Sequence, residues 1–197
     1  MMSIKIQKIG IDLLSLYSEI PISFKVESVF RIEVINQGLG GFELIEEKVA
    51  TYTKDYDSQE EDDKPGPIGW TKRFDVSKWG FFLALNGSCP VGGAAVAIDA
   101  LDVNMLEGRK DLAMLWDIRV HPGERRHGIG SKLFKHASDW ARQKGCKQLK
   151  VETPNLGGGF GRGGLGNVHT PLQLPPNPPP ESVCQCACVS FLRQTRM

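Results

Sequence analysis

The sequence lacks the features that mark several large classes of protein. Its 24 Lys and Arg residues are balanced by 23 Asp and Glu, so the net charge of +1 creates no overall field that would attract nucleic acid or a membrane surface. No apolar run approaches the ~18 residues of a membrane span. No basic segment followed by an apolar one opens the chain, so no secretory signal is expected. The five cysteines are an odd number, which argues against a complete disulfide framework and favours a reduced, cytoplasmic protein.

The composition changes sharply after Asn155. Residues 157–197 contain 6 of the 12 prolines and 7 of the 22 glycines, but a single acid and no lysine. Such a segment resists helix and central strand, because glycine loses much backbone entropy on folding and proline lacks an N–H. We therefore expect one domain over 1–155 and a disordered Gly/Pro-rich tail over 156–197. The tail carries Cys184, Cys186 and Cys188, but zinc normally takes four ligands, so free thiols are favoured and no metal site is expected.

The first 155 residues predict a mixed α/β domain. Apolar runs and alternation predict strands at 4–9, 42–50, 79–85, 91–98, 112–120 and 148–153. Helical spacing predicts helices at 13–20, 24–34 and 128–144. Residues 55–63 hold six acids and are expected to form either a solvated loop or a surface that attracts a polycationic substrate. The Pro65-Gly66-Pro67 sequence then predicts an irregular stretch.

Residues 115–131 carry the clearest functional signal: a strand, a turn with proline, a glycine-rich loop and a helix. The first turn of a helix leaves N–H groups unpaired at the positive end of its dipole. Gly128 and Gly130 have no side chains to keep an anion from these donors, and three basic residues precede them, Arg125, Arg126 and His127. The segment therefore predicts a phosphate site. The alternative is a tight strand–helix turn with solvated basic side chains.

The pattern Arg125-x-x-Gly128-x-Gly130 after a strand resembles motif A of the GNAT acetyltransferases. Further stretches, in the same order along the chain, resemble the streptothricin acetyltransferases of that family. They are PISF at 21–24, GLGGF at 38–42, WGFFLA at 79–84, PVGGA at 90–94, LWDIRV at 115–120 and KVET at 150–153. The resemblance covers residues 1–155.

The resemblance implies an α/β fold of the α+β type, with a mainly antiparallel sheet and flanking helices, and acetyl-CoA as co-substrate. It implies that the pyrophosphate lies on the loop and the start of the helix, at Arg125, Arg126, His127, Gly128, Ile129, Gly130 and Ser131. The pantetheine arm is expected to pair with the backbone near Ile118 and Val120, which requires the 148–153 strand to splay away. Asn155 matches a family position that touches this arm.

Two carboxylates are candidates for catalysis. Asp117 and Glu152 lie on the two strands that line the expected cleft, where either could accept the proton of the amine or bind it. The structural alternative is that these carboxylates point at solvent or at an arginine.

The sequence departs from the family after Asn155. Family members continue with a short helix, whose tyrosine often protonates the leaving thiolate, and two further strands. Here Tyr17, Tyr52 and Tyr56 all precede the glycine loop, so none can occupy that position. The 148–153 strand is then expected to lack its far-side partner, and such an edge favours aggregation or a homo-oligomer. The tail resembles the product of an altered reading frame or splice variant, which sequencing the transcript across the Asn155 codon would test.

Two functions remain at this point. The first is an acetyl-CoA-dependent N-acetyltransferase acting on an amine of a small cationic substrate such as streptothricin, as a cytoplasmic antibiotic-resistance enzyme. The second is a non-catalytic acetyl-CoA-binding or interaction protein. Neither requires a metal, nucleic acid or membrane.

Overall fold

The structure is a computed structural model that describes residues 4–57 and 66–152, together with the backbone of Leu156–Gly157 and Leu172–Gln173. The strands are β1 Ile4–Ile9, β2 Phe24–Val34, β3 Phe42–Lys54, β4 Gly80–Asn86, β5 Cys89–Ile98, β6 Leu112–Val120, β7 Gln148–Val151, β8 Leu156–Gly157 and β9 Leu172–Gln173. The helices are α1 Leu14–Ser18, α2 Pro67–Arg73 and α3 Ile129–Gln143. Short 3-10 turns lie at Ile11–Leu13, Ile35–Gly38, Asn104–Leu106 and Pro122–Glu124.

Two sheets organise the chain. The larger has the strand order β1-β4-β5-β6-β7-β9, and all its neighbours are antiparallel except β6 and β7. That parallel pair needs a crossover, which α3 provides. The smaller sheet has the order β3-β2-β8. The mixed α+β fold with a mainly antiparallel sheet, expected from the sequence, is confirmed.

The larger sheet buries both faces. Helix α3 covers one face with the apolar residues that the sequence pattern predicts, Ile129, Leu133, Ala137, Trp140 and Ala141. The other face packs against Tyr17 of α1 and an aromatic cluster centred on Trp70 and Trp79. Gly93 of β5 permits this packing, because a Cβ there would lie 2.5 Å from Cε2 of Tyr17.

Three expectations are wrong. Residues 24–34 form strand β2, not a helix, because they pair along their length with β3. Pro67 does not continue an irregular stretch but begins α2. Proline is tolerated there because the N–H that it lacks would have no hydrogen-bond partner in the first turn of a helix. The far edge of β7 has a partner, because Gln148 pairs with Gln173 and Leu149 with Leu172 of β9.

Two dipeptides of the expected tail are therefore strands, β8 and β9. The three cysteines of the tail and Asn155 lie outside the described residues. Among the helices that the structure describes, none is both long and apolar enough to cross a membrane. Within the same residues, no group of three His, Cys, Asp or Glu side chains is placed to hold a metal ion.

Candidate functional site

The N-terminus of α3 presents unpaired backbone donors. The first hydrogen bond of this helix runs from the Lys132 N–H to the Gly128 carbonyl, at 3.1 Å. The amides of Ile129, Gly130 and Ser131 precede it, so they have no acceptor within the helix. Gly128 occupies the N-cap position and has no side chain to cap them. These three amides lie at the positive end of a 15-residue helix, where the sequence predicts a phosphate site.

The loop before α3 leaves space in front of these amides. Arg126 and Gly128 both have left-handed backbones, with φ of 69° and 76°. A Cβ added at Gly128 would meet no described atom within 4 Å, and one at Gly130 would meet only Cγ2 of Val120 at 3.7 Å. The side chains of Arg126 and His127 are exposed beside this space, whereas Ile129 is buried in the core and offers only its amide.

Arg125 holds the loop in place. Its Nε donates to the Val120 carbonyl at 3.0 Å and its Nη2 to the Ser23 carbonyl at 2.7 Å. Partial burial lowers the pKa of Arg125 from its ordinary value, but an arginine keeps its charge at neutral pH. The sequence places Arg125 among the residues that contact the cofactor. The structure shows it joining the loop to the end of β6 and to the segment before β2.

The outer half of β6 has a free edge next to this loop. Strand β7 pairs with β6 only as far as Leu115, opposite Val151. The next strand along the chain, β8, pairs with β2, so no strand of the described residues borders β6 beyond Leu115 on this side. Pairing between β6 and β7 thus ends before Ile118, the position beside which the resemblance implies a gap.

The backbone groups of Ile118 and Val120 face this gap. The His121 N–H donates to the Val91 carbonyl of β5 at 2.9 Å, and alternate residues of a strand direct their polar groups to opposite edges. Ile118 and Val120 therefore direct theirs away from β5. The Val120 carbonyl already accepts a hydrogen bond from Arg125. The N–H of Val120, and the N–H and carbonyl of Ile118, are therefore left for a ligand.

On the face of β6 that points away from α3, a buried arginine forms hydrogen bonds with two carboxylates. Arg119 donates to Asp117 from Nε at 2.9 Å and from Nη2 at 2.8 Å, and to Asp57 from Nη1 at 2.5 Å. Its Nη1 also donates to the Ile20 carbonyl at 3.1 Å. The Tyr17 hydroxyl donates to Oδ1 of Asp117 at 2.7 Å. The side chain of Arg119 is only 1% exposed. We call these four side chains (Tyr17, Asp57, Asp117 and Arg119) the carboxylate cluster.

The carboxylate cluster has an excess of negative charge. Burial would lower the pKa of Arg119, but the hydrogen bonds and charge of Asp117 outweigh it and raise that pKa. Burial, and then the charge of Asp117, raise the pKa of Tyr17 well above its ordinary value, so the phenol stays neutral. Two carboxylates and one guanidinium leave a net charge of −1. The accessible part of that charge is on Asp57, whose side chain is 26% exposed and lines a cavity of about 180 Å³.

The two carboxylates expected to act in catalysis are placed differently. Both oxygens of Asp117 accept hydrogen bonds, and its side chain is 9% exposed, which matches the structural alternative of a carboxylate directed at an arginine. Glu152 directly follows β7, at the point where β6 and β7 separate, and is half-buried with polar interactions of its own. The sequence interpretation missed Tyr17 and Arg119, and it considered Asp57 only as part of the acidic stretch 55–63, of which residues 58–63 lie outside the described residues.

Comparison with known proteins identifies the family. A sequence model of the Acetyltransferase (GNAT) family matches residues 43–157, which contain the free edge of β6, the glycine loop and α3. The chain belongs to this family. Streptothricin acetyltransferase from Streptomyces lavendulae is 28% identical over 137 residues, which cover 68% of this chain but only 64% of that relative.

Two solved structures show the same GNAT fold. Nourseothricin acetyltransferase superposes with a TM-score of 0.56 at 22% identity, over 78% of this chain and 75% of that one. A putative streptothricin acetyltransferase from Bacillus anthracis, in complex with acetyl coenzyme A, gives a TM-score of 0.56 at 21% identity, over 79% of this chain and 75% of that one.

Proposed function

We propose that this GNAT protein is an acetyl-CoA-dependent N-acetyltransferase that acts on an amine of a small cationic molecule of the streptothricin type. One observation carries the proposal: an open helix N-terminus, at Ile129–Ser131, lies next to the free edge of β6 at Ile118 and Val120. The proposal includes a cytoplasmic location, where acetyl-CoA is available and acetylation of such an antibiotic would give resistance.

The residues present fit acetyl-CoA at both of its polar parts. Its diphosphate suits the three unpaired amides of α3, because hydrogen bonds to a charged group contribute about 1.5–3 kcal/mol each. The exposed Arg126 and His127 add donors beside the space in front of Gly128. The amide groups of the pantetheine arm suit the N–H of Val120 and the N–H and carbonyl of Ile118, which a strand would otherwise use. When bound, acetyl-CoA supplies the activated acetyl group.

The amine must be attracted and then deprotonated. An alkylamine of pKa ~10.4 is only about 0.04% unprotonated at pH 7, so a proton acceptor matters. In our proposal Asp57 attracts the ammonium, since it carries the accessible charge of the carboxylate cluster. Asp117 is a positioning residue, because it holds Arg119 and its own oxygens are occupied. Glu152, at the opening between β6 and β7, is the candidate proton acceptor.

Acetyl transfer from acetyl-CoA to a panel of amines, followed by mass spectrometry of the product, tests the proposal. We expect acetylated streptothricin, and little product from a neutral primary amine. Asp57→Asn should raise KM for the cationic amine at least about fivefold without changing the Kd of acetyl-CoA, whereas Glu27→Gln, an exposed acid on β2, should change neither. Absence of product from every amine would contradict the proposed activity.

A second function is favoured by one observation. Tyr17 is fully buried and bonded to Asp117, so it is not placed to protonate a leaving thiolate. Either another group protonates the thiolate, or the protein binds acetyl-CoA without turning it over. If acetyl-CoA protects the protein against unfolding but no amine yields an acetylated product, this non-catalytic role would be supported.

A further inference from the structure

A larger cavity, of about 460 Å³, lies at the end of α3 away from the glycine loop. The two ends of this 15-residue helix are about 22 Å apart, so the cavity is separate from the anion site at Gly128. Four lysines from four parts of the chain line it: Lys8, Lys78, Lys110 and Lys144. We call it the lysine cavity.

The charge of the lysine cavity is largely uncompensated. Asp99 is its acidic lining residue, and the hydrogen bond from Lys78 at 2.5 Å holds the pKa of that carboxyl below its ordinary value. Lys8, Lys110 and Lys144 form no ion pair among the residues that the structure describes, although the charge of Lys110 also contributes to the lowered pKa of Asp99. Four lysines and one aspartate give a net charge of +3, although the whole chain carries only +1.

Helix capping does not explain these lysines. Basic residues near a helix C-terminus often bind its last carbonyls. Here backbone groups do so, since the Lys144 N–H donates to the Trp140 carbonyl at 3.0 Å and the Cys146 N–H to the Ala141 carbonyl at 3.0 Å. The helix end contributes about −0.5 charge, too little to offset +3. Lys78 and Lys110 also come from segments outside α3.

The walls of the cavity are partly apolar. Lys8 Nζ lies 5.4 Å from the ring centroid of Trp140, and this tryptophan is 9% exposed. Trp79, also in the lining, is 4% exposed, and its indole N–H has no acceptor within the described part of the chain. The cavity therefore combines exposed ammonium groups with apolar wall surface.

We propose that the lysine cavity binds a small anion that carries two or more phosphate groups. Its volume is within the range of small-molecule sites, and lysine binds phosphate as a point charge from several directions. The net charge of +3 on the lining residues suits a ligand with at least two negative charges. The inference does not depend on the proposed acetyl transfer.

Calorimetric titration with inorganic tripolyphosphate tests the proposal, at low salt and with the protein saturated with acetyl-CoA to block the α3 N-terminus. We expect tripolyphosphate to bind at one site, with an affinity that falls as salt is added. The variant Lys110→Ala/Lys144→Ala should lose at least about tenfold in affinity, or about 1.4 kcal/mol. The control Lys5→Ala/Lys25→Ala removes two exposed lysines outside the cavity and should bind as the unaltered protein does. Parallel titrations with ADP and ATP show whether the site prefers the phosphate groups of a nucleotide or those of an inorganic polyphosphate.

The proposal is overturned if the unaltered protein does not bind tripolyphosphate, ADP or ATP at low salt, or if both double variants lose affinity equally. It is also overturned if acetyl-CoA abolishes the binding. Should acetyl-CoA itself fail to bind, the comparison of the two double variants without it still decides, so this inference and the proposed function can fail separately. All four lysines substituted are exposed, and circular dichroism verifies that the variants fold.

Discussion

Replacing Arg119 with methionine should cost more stability than any exposed charge change in this protein. The guanidinium is 1% exposed and donates to Asp117, Asp57 and the Ile20 carbonyl. Methionine fills much of the same volume but removes the positive charge between two carboxylates and the donor to the Ile20 carbonyl, and Asp117 keeps only its hydrogen bond from Tyr17. Breaking a buried ion pair in this way costs about 3–5 kcal/mol. At about 2–4 °C per kcal/mol for a chain of this size, Tm should fall by about 6–20 °C.

Urea unfolding followed by circular dichroism measures this loss. The matched control is Arg31→Met, since Arg31 forms an exposed pair with Glu47 at 2.6 Å and solvent-exposed pairs contribute little to stability. Adding Asp57→Asn and Asp117→Asn to Arg119→Met should restore part of the stability, because no uncompensated charge is then buried. If Arg119→Met costs no more than Arg31→Met, the account of the carboxylate cluster is wrong.

Two further substitutions test the packing and ionisation of Tyr17. Gly93→Ala should cost about 1–3 kcal/mol in urea unfolding, since the new Cβ would lie 2.5 Å from the Tyr17 ring. Gly123→Ala, whose Cβ would have its nearest contact at 3.5 Å, should cost less than about 0.5 kcal/mol, and equal losses would refute the close approach. Because the pKa of Tyr17 is raised on folding, the unfolded chain loses this proton near pH 10 while the folded chain keeps it. The free energy of unfolding should therefore fall as pH rises above about 10, and Tyr17→Phe should make that fall less steep; identical pH profiles would contradict this.

Local patterns were sufficient for some elements and not for others. Helix α3 was predictable because its apolar residues repeat at helical spacing along one face. Strand β2 was not, because its apolar residues fit both a helical and an alternating pattern, and pairing with β3 decides between them. Pro67 signalled a break in the chain, yet proline is also favoured in the first turn of a helix. Strand β9 pairs with β7 across a long sequence separation, which no local pattern reveals.

The open N-terminus of α3 was easier to predict than the carboxylate cluster for a physical reason. Unpaired amides occur at the start of every helix, so the glycines around Gly128 and the amphipathic run after it were sufficient. The carboxylate cluster joins Tyr17, Asp57 and Arg119 from distant parts of the sequence. Its one local signal was an aspartate two residues before an arginine in β6, since alternate residues of a strand share a face.

Calorimetric titration of acetyl-CoA into the unaltered protein, Gly128→Asp and Gly128→Asn tests the central claim most directly. Gly128 has φ of 76° with open space around its Cβ position, and both Asp and Asn tolerate this backbone, so the two variants differ mainly in charge. A carboxylate facing the diphosphate should weaken binding at least about 100-fold, whereas Gly128→Asn should retain most of the affinity. Equal affinities of the two variants, or no binding by the unaltered protein, would contradict the assignment of the α3 N-terminus as the diphosphate site.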